Sequence, residues 1–201
     1  MNETLKRALS GFVYVAVMWI GTSYSYLSFF LLFALLGIVS IYEMKKLRKG
    51  KTKILAYLFI MIPFSIILQI DKEIILLMFI LTWTFDTFAY LFGVRFGKTK
   101  IMPSVSPKKS WEGFAGGFIF SVLASFITTH YFLEVDNSVA LAMSLFLPFT
   151  ATLGDFTESY FKRQAGVKDS GNFIPGHGGM LDRMDAFMIT IPVLYIYLNI
   201  I

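Results

Sequence analysis

An all-α, polytopic membrane bundle of about seven spanning helices is the fold class this chain predicts, on three observations. Hydrophobic residues make up 56% of its 201 positions, and the mean hydropathy is +0.67. A soluble surface needs more charge than that leaves. The excess lies in continuous runs, with no Asp, Glu, Lys or Arg in 8–42, 54–70, 113–133 or 186–201. The third observation is a regular alternation of charge between successive loops.

A spanning helix needs roughly 17–25 mostly apolar residues. Open sheets leave backbone groups unpaired in lipid, and barrel strands would read as alternating segments of about ten residues. The unbroken runs therefore predict helices, at 8–22, 26–42, 54–70, 74–93, 112–133, 138–161 and 180–200. The first two share one run, divided near Gly21–Ser25. Lys6 and Arg7 precede an apolar stretch as in a signal peptide. No small-residue cleavage site follows and further spans do, so the first helix is expected to be retained. The absence of cysteine excludes disulfides and thiolate metal sites.

Taken in order, the loops alternate in charge. Lys6 and Arg7 precede the first span, and the first hairpin is uncharged. Lys45, Lys46, Arg48, Lys49, Lys51 and Lys53 follow the second span, then Asp71-Lys72-Glu73 the third. Arg95, Lys98, Lys100, Lys108 and Lys109 come next, then Glu134-Val135-Asp136, then Lys162, Arg163, Lys168 and Arg183. On this division 17 of the 18 basic residues share one side, leaving only Lys72 on the other. The positive-inside rule then predicts a cytosolic N-terminus and an external C-terminus. The net charge of +5 follows from orientation and anionic lipid headgroups and calls for no nucleic acid.

Carboxylates inside spanning helices cost about 2.5–3.5 kcal/mol each on insertion scales. This chain places Asp86 in the fourth span, Asp155 and Glu158 in the sixth, and Asp182 and Asp185 in the seventh. At a rise of about 1.5 Å per residue, all lie within roughly 10 Å of the basic side. Asp155 and Glu158 stand three residues apart, as do Asp182 and Asp185, so each pair shares a helix face. Two such faces can meet as a carboxylate pocket, which hard, oxygen-seeking divalent cations would compensate. The competing expectation is that the acids pair locally with Lys162, Arg163 and Arg183.

Two loops adjoin these acids. In Ser106-Pro107-Lys108-Lys109-Ser110-Trp111-Glu112-Gly113, Pro107 disfavours helix at Ser106 and predicts a turn carrying the lysines into the fifth span. Adjacent ammonium groups and hydroxyls suit a polyphosphate, though such lysines also serve as membrane anchors. The second loop, Lys168 to Gly179, is glycine-rich and ends at the start of the seventh span. Glycines allow close backbone approach, and a helix N-terminus offers unpaired N–H groups to anions. Phosphate is thus expected on these amides, with His177 as a phosphate contact or general acid.

The segments Ser159-Tyr160-Phe161-Lys162-Arg163, Lys168-Asp169 and Pro175-Gly176-His177-Gly178-Gly179-Met180-Leu181-Asp182-Arg183-Met184-Asp185 together resemble the signature of the phosphatidate cytidylyltransferases (CDP-diacylglycerol synthases). Asp86-Thr87-Phe88-Ala89-Tyr90 and the Ser106–Gly113 segment are similar to the same family, with Ser110 where threonine is common. The resemblance spans 80–190, read as the catalytic region of a single membrane domain, 1–201. It is loose over 1–75, which reads as a divergent set of N-terminal helices, shortened against longer members.

The resemblance implies transfer of CMP from CTP to phosphatidic acid, giving CDP-diacylglycerol and pyrophosphate. It implies Mg2+, alone or beside a second cation such as K+. CTP, phosphatidic acid and membrane lipid are the implied partners, and a homodimer is compatible with it. The implied location is a bacterial plasma membrane, with the site on the cytosolic side. It assigns metal binding to Asp155, Asp182, Asp185 and Glu158, with Asp86 as a further ligand or a neighbour of the ligands. Phosphates fall to Lys108, Lys109, Lys162, Arg163 and Lys168, with Ser106, His177 and Gly178 completing the cradle. Asp155, Asp182, Asp185 and Lys168 carry the catalytic role.

Other readings fit less of the chain. Another lipid cytidylyltransferase would share the site and differ in its acceptor. A CDP-alcohol phosphotransferase would need an Asp-Gly start with Ala-Arg soon after, which is absent. A carrier would place charge near the midplane between repeats, and no repeat is present. An inactive scaffold of the family would not need all these polar positions.

Overall fold

A computed structural model describes residues 3–47, 53–174, 176 and 178–200, without the side chains of residues 3, 4, 6, 7 and 53. Arg48, Lys49 and Lys51 of the basic loop lie outside the described residues, as does His177.

Each apolar run becomes a helix, and polar side chains mark where helices begin. α1 (Glu3–Ser23) and α2 (Tyr26–Leu47) divide at Tyr24–Ser25. There Ser25 and Ser28 exchange hydrogen bonds, each backbone N–H donating to the other's Oγ at 3.0 Å. That reciprocal arrangement satisfies the first free donors of α2. α3 (Lys53–Ile66) tightens into a 3-10 turn at Ile67–Gln69. α4 (Lys72–Phe96) is capped by Asp71, which accepts from Glu73 N at 2.8 Å. α5 (Trp111–Tyr131) is capped by Ser110, and α6 (Asn137–Ala165) by Asp136. α6 stops at Gly166, where φ of +72° needs a residue without Cβ. α7 (Leu181–Leu198) completes the bundle.

Four of these helices are long and apolar enough to cross a membrane, namely α2, α4, α5 and α6. Among the described residues the seven expected spans thus appear as seven α-helices, three of which fall short of that measure. The apolar stretches Ala8–Ser23 and Ile54–Gln69 are shorter, and α7 carries Asp182, Arg183 and Asp185 at its start. Phe12, Leu27, Ile38, Ile54, Val94 and Ile119 are all more than half exposed. Water would penalise that surface and lipid would not. The chain is a helical membrane protein.

One expectation is corrected at Pro107. The lysine segment is not a turn but strand β2 (Ser106–Ser110), paired antiparallel with β1 (Lys100–Met102). Pro107 excludes helix at Ser106, and the extended chain finds a partner in the residues just behind it.

Small residues set the helix spacing, as lipid-embedded packing favours. Gly113 and Gly117 of α5 lie against the backbone of α4. A Cβ on either would stand 2.6 Å from a carbonyl oxygen, that of Ala89 or Phe85. Gly154 of α6 lies against the carbonyl of Asp185 on α7. About one turn away, Thr150 and Thr190 share a hydrogen bond of 2.8 Å across the same interface. Phe33, Phe79 and Phe187 join α2, α4 and α7 in the core, with ring centroids 6.4 and 5.4 Å apart.

The two acidic loops lie together, since Glu73 accepts from the backbone N–H of Glu134 at 2.8 Å. Tyr195 near the end of α7 donates to Gln69 at the same end, at 3.0 Å. The hairpin, the C-terminal ends of α2, α4 and α6, and the N-terminus of α7 gather at the other.

Candidate active site

Three of the expected acids converge. Asp155 and Glu158 of α6 meet Asp185 of α7, with one oxygen from each inside a sphere where all lie within 4.8 Å of one another. Gly154 makes this meeting possible, because only a residue without a side chain lets α6 touch the Asp185 backbone. At that separation each pair of charges repels by about 3 kcal/mol at an effective dielectric of 20. Two lysines offset part of it. Lys109, from β2, pairs with Asp155 at 2.5 Å. Lys162 pairs with Glu158 one turn earlier on α6, and with Asp182 at 2.7 Å. The two ammonium groups can neutralise at most two of these four carboxylates.

Asp182 does not join the trio, although its spacing puts it on the same helix face as Asp185. Its Oδ1 takes the Lys162 ammonium. Its Oδ2 accepts from Ser170 N at 2.9 Å, Ser170 Oγ at 3.0 Å and Gly179 N at 2.7 Å. The first turn of α7 is wrapped by the incoming loop, and Asp182 spends one oxygen on that loop and the other on Lys162 of α6.

The glycine-rich loop is shaped by carboxylates. Ile174 N donates to Gly178 O at 2.9 Å, closing a turn in which Gly176 and Gly178 have φ of +78° and +85°. Only glycine adopts that conformation cheaply. A Cβ on Gly178 would also stand 2.7 Å from Asp182 Oδ2.

The amides at the α7 N-terminus, expected to be open to phosphate, are occupied. Glu43 of α2 accepts from Met180 N at 3.0 Å and from Leu181 N at 2.8 Å. A carboxylate of the chain itself therefore sits where an external anion was expected.

The remaining expected residues are spread around this centre. Asp86 lines two cavities, one on each side of α4. The larger, about 540 Å³, is lined by Asp86, Lys108, Lys109 and Ser110, and by apolar residues including Tyr90 and Val94. The smaller, about 340 Å³, is lined by Tyr14, Trp83, Asp86, Asp182, Arg183 and Asp185. Lys108 is exposed on β2, and Ser106 pairs with Met102 in the hairpin. Arg163 donates to Val167 O at 2.9 Å, closing the end of α6. Lys168 is exposed on the loop.

Sequence reasoning missed Glu43, Ser170 and Tyr14. Tyr14 donates to the carbonyl of Arg183 at 3.3 Å. The second span predicted from the apolar run ends at residue 42, one short of Glu43. Extending that helix by a turn would have shown a further buried acid at the basic end.

The trio suits a hard cation. Both carboxylate oxygens of Glu158 are buried without a hydrogen bond, as is Asp155 Oδ2; Lys162 and Lys109 pair with these two acids. Buried polar atoms are normally satisfied, so these oxygens retain acceptor capacity. An all-oxygen donor set matches Mg2+ or Ca2+ rather than a thiolate-seeking metal.

Residues 54–201 match the model of the cytidylyltransferase family. The chain belongs to that family. Among curated relatives, the phosphatidate cytidylyltransferase of Thermotoga maritima is 46% identical over 129 residues, covering 60% of this chain and 47% of that protein. The phosphatidate cytidylyltransferases of Staphylococcus aureus and Staphylococcus epidermidis are 47% and 45% identical over 126 and 125 residues. Each alignment covers 62% of this chain and 48% of the relative. The chain spans about half the length of these cytidylyltransferases. The family match takes in α3 from its second residue, α4 to α7 and the hairpin, and leaves α1 and α2 outside it.

Proposed function

We propose that this cytidylyltransferase-family chain joins CTP to phosphatidate, giving CDP-diacylglycerol and pyrophosphate. The observation that carries the reading is the close trio Asp155, Glu158 and Asp185, buried at Glu158 and half-buried at the two aspartates, flanked by Lys109 and Lys162. The names of its relatives support the choice of substrates. In the reaction, an oxygen of the lipid phosphate bonds to the α-phosphorus of CTP. The bond from that phosphorus to the β-phosphate oxygen breaks, and pyrophosphate leaves with the electron pair. The attacking oxygen is already ionised near neutral pH, so no strong base is required.

The main obstacle is repulsion between two anions. Asp155, Glu158 and Asp185 would hold Mg2+, which when bound supplies charge neutralisation and polarises phosphoryl oxygens. Lys109 and Lys162 keep positive charge at the edge of the trio, and Asp182 holds Lys162 in place. Lys108, Arg163 and Lys168 stand at the basic surface, where they would receive the triphosphate. The larger cavity combines lysines with an apolar wall, as an anionic headgroup on acyl chains requires. We place this end of the bundle in the cytosol, because basic residues collect there.

The test is conversion of [α-32P]CTP by the purified chain with phosphatidate and Mg2+, beside Asp185→Asn. The chain is expected to form CDP-diacylglycerol, and the variant to lose about 100-fold or more in kcat, the scale for removing one preorganised electrostatic group. A folded sample that binds CTP and yields no product would sink the reading.

A further inference from the structure

A residue outside the family-matched stretch holds the catalytic loop. We infer that Glu43 of α2 is a positioning residue for the acids on α6 and α7, acting through Ser170, Asp182 and Lys162.

A helix leaves its first N–H groups without intrahelical partners. In α7 the N-cap is Met180, which offers no side-chain hydrogen bond. Glu43, 137 residues earlier than Met180, fills the gap: its Oε1 accepts from Met180 N and its Oε2 from Leu181 N. Glu43 is only 3% exposed, and Met180 and Leu181 are buried, so water cannot replace it there.

The contact continues toward the trio. Ser170 Oγ lies 3.0 Å from Glu43 Oε2 and 3.0 Å from Asp182 Oδ2. A hydroxyl carries one proton, so it serves the two carboxylates in turn and ties their positions together. Asp182 Oδ1 holds Lys162 at 2.7 Å, and Lys162 holds Glu158. An unbroken line of polar contacts thus runs from α2 to a member of the trio. Gly171 and Gly179 crowd the same carboxylate, since a Cβ on either would stand 2.5–2.6 Å from a Glu43 oxygen. The loop is built around this side chain.

As a statement about catalysis, the inference rests on the proposed reaction, so its test has one arm that needs no turnover. Amide hydrogen exchange is followed in the full chain in lipid nanodiscs, for the native protein, Glu43→Ala and Glu43→Gln. Glu43→Ala is expected to speed exchange at Met180 and Leu181 by about tenfold or more, leaving the middle of α4 as protected as before. Glutamine offers one acceptor oxygen instead of two, so Glu43→Gln is expected to free one of the two amides and keep the other.

In the assay, kcat is expected to fall in the same order, with the KM for phosphatidate unchanged. If Glu43→Ala does not fold, Glu43→Gln decides alone. Native exchange at both amides, or faster exchange spread evenly over the bundle, overturns the inference. If the native chain proves inactive while the local exchange change is found, the reaction falls and the loop anchoring stands.

Discussion

The two ends of the bundle use the same residue types in opposite ways. At the acidic end, Asp71 and Asp136 cap α4 and α6, and Glu73 accepts from the Glu134 backbone. Asp71 and Asp136 are exposed and Glu73 is half-buried, and each has an N–H partner. At the basic end, Asp155, Glu158 and Asp185 crowd together, and both Glu158 oxygens and Asp155 Oδ2 are buried without a hydrogen bond. The first end shows what acids do when they only terminate helices. The second shows acids kept at a cost that helix capping does not explain. Glu43 and Asp182 lie between these cases, since they bind backbone amides but do so inside the site.

Substitutions at the two ends should therefore differ in kind. The largest effect on stability is expected from Lys162→Met, which strips the positive partner from Glu158 and Asp182. Breaking a buried pair costs about 3–5 kcal/mol. Adding Glu158→Gln to that variant should recover part of the loss. Unfolding in mixed micelles reads both, and a loss below about 1 kcal/mol, the range of an exposed pair, would place Lys162 with the surface ions.

Gly154→Ala comes next. Its Cβ would collide with the Asp185 carbonyl, and overpacking of this kind costs about 1–3 kcal/mol. Activity should fall with stability although no acid is removed, because Asp155 and Asp185 are pushed apart. Full activity in a Gly154→Ala chain would show that the α6–α7 contact does not set the trio.

Asp71→Ala should cost about 1 kcal/mol as a lost N-cap and leave kcat untouched; a drop in kcat would erase the contrast between the ends. The smallest effect is a pH dependence at Asp136. The Ser138 hydroxyl, and then its amide, hold the Asp136 carboxyl below its ordinary value of 3.8. A lowered folded pKa means that its contribution is present above that value and lost as pH falls below it. Asp136→Asn should flatten that part of the stability curve.

Much of this was legible beforehand. The apolar runs located the seven α-helices of the described residues, and Tyr24–Ser25 falls inside the predicted divide. Charge alternation put the two acidic loops at one end, and the Glu73–Glu134 contact places them together. The spacing of Asp155 with Glu158 and of Asp182 with Asp185 put each pair on one helix face, and Asp155, Glu158 and Asp185 do come together. The same rule failed for Asp182, whose loop competes for its oxygens. It had nothing to say of β1 and β2, where three residues pair with a proline-bearing strand. Lys109 and Lys162, expected on phosphate, turn first to the acids.

The sequence by itself determined the membrane class, the helix count, the polar end and the family signature. Each depends on local composition or on spacing along one helix. Tertiary structure alone decided which acids meet, that Gly154 permits the meeting, and that Glu43 occupies the amides of α7. Those outcomes depend on helix pairs brought within contact from distant parts of the chain, and no local pattern encodes which face meets which.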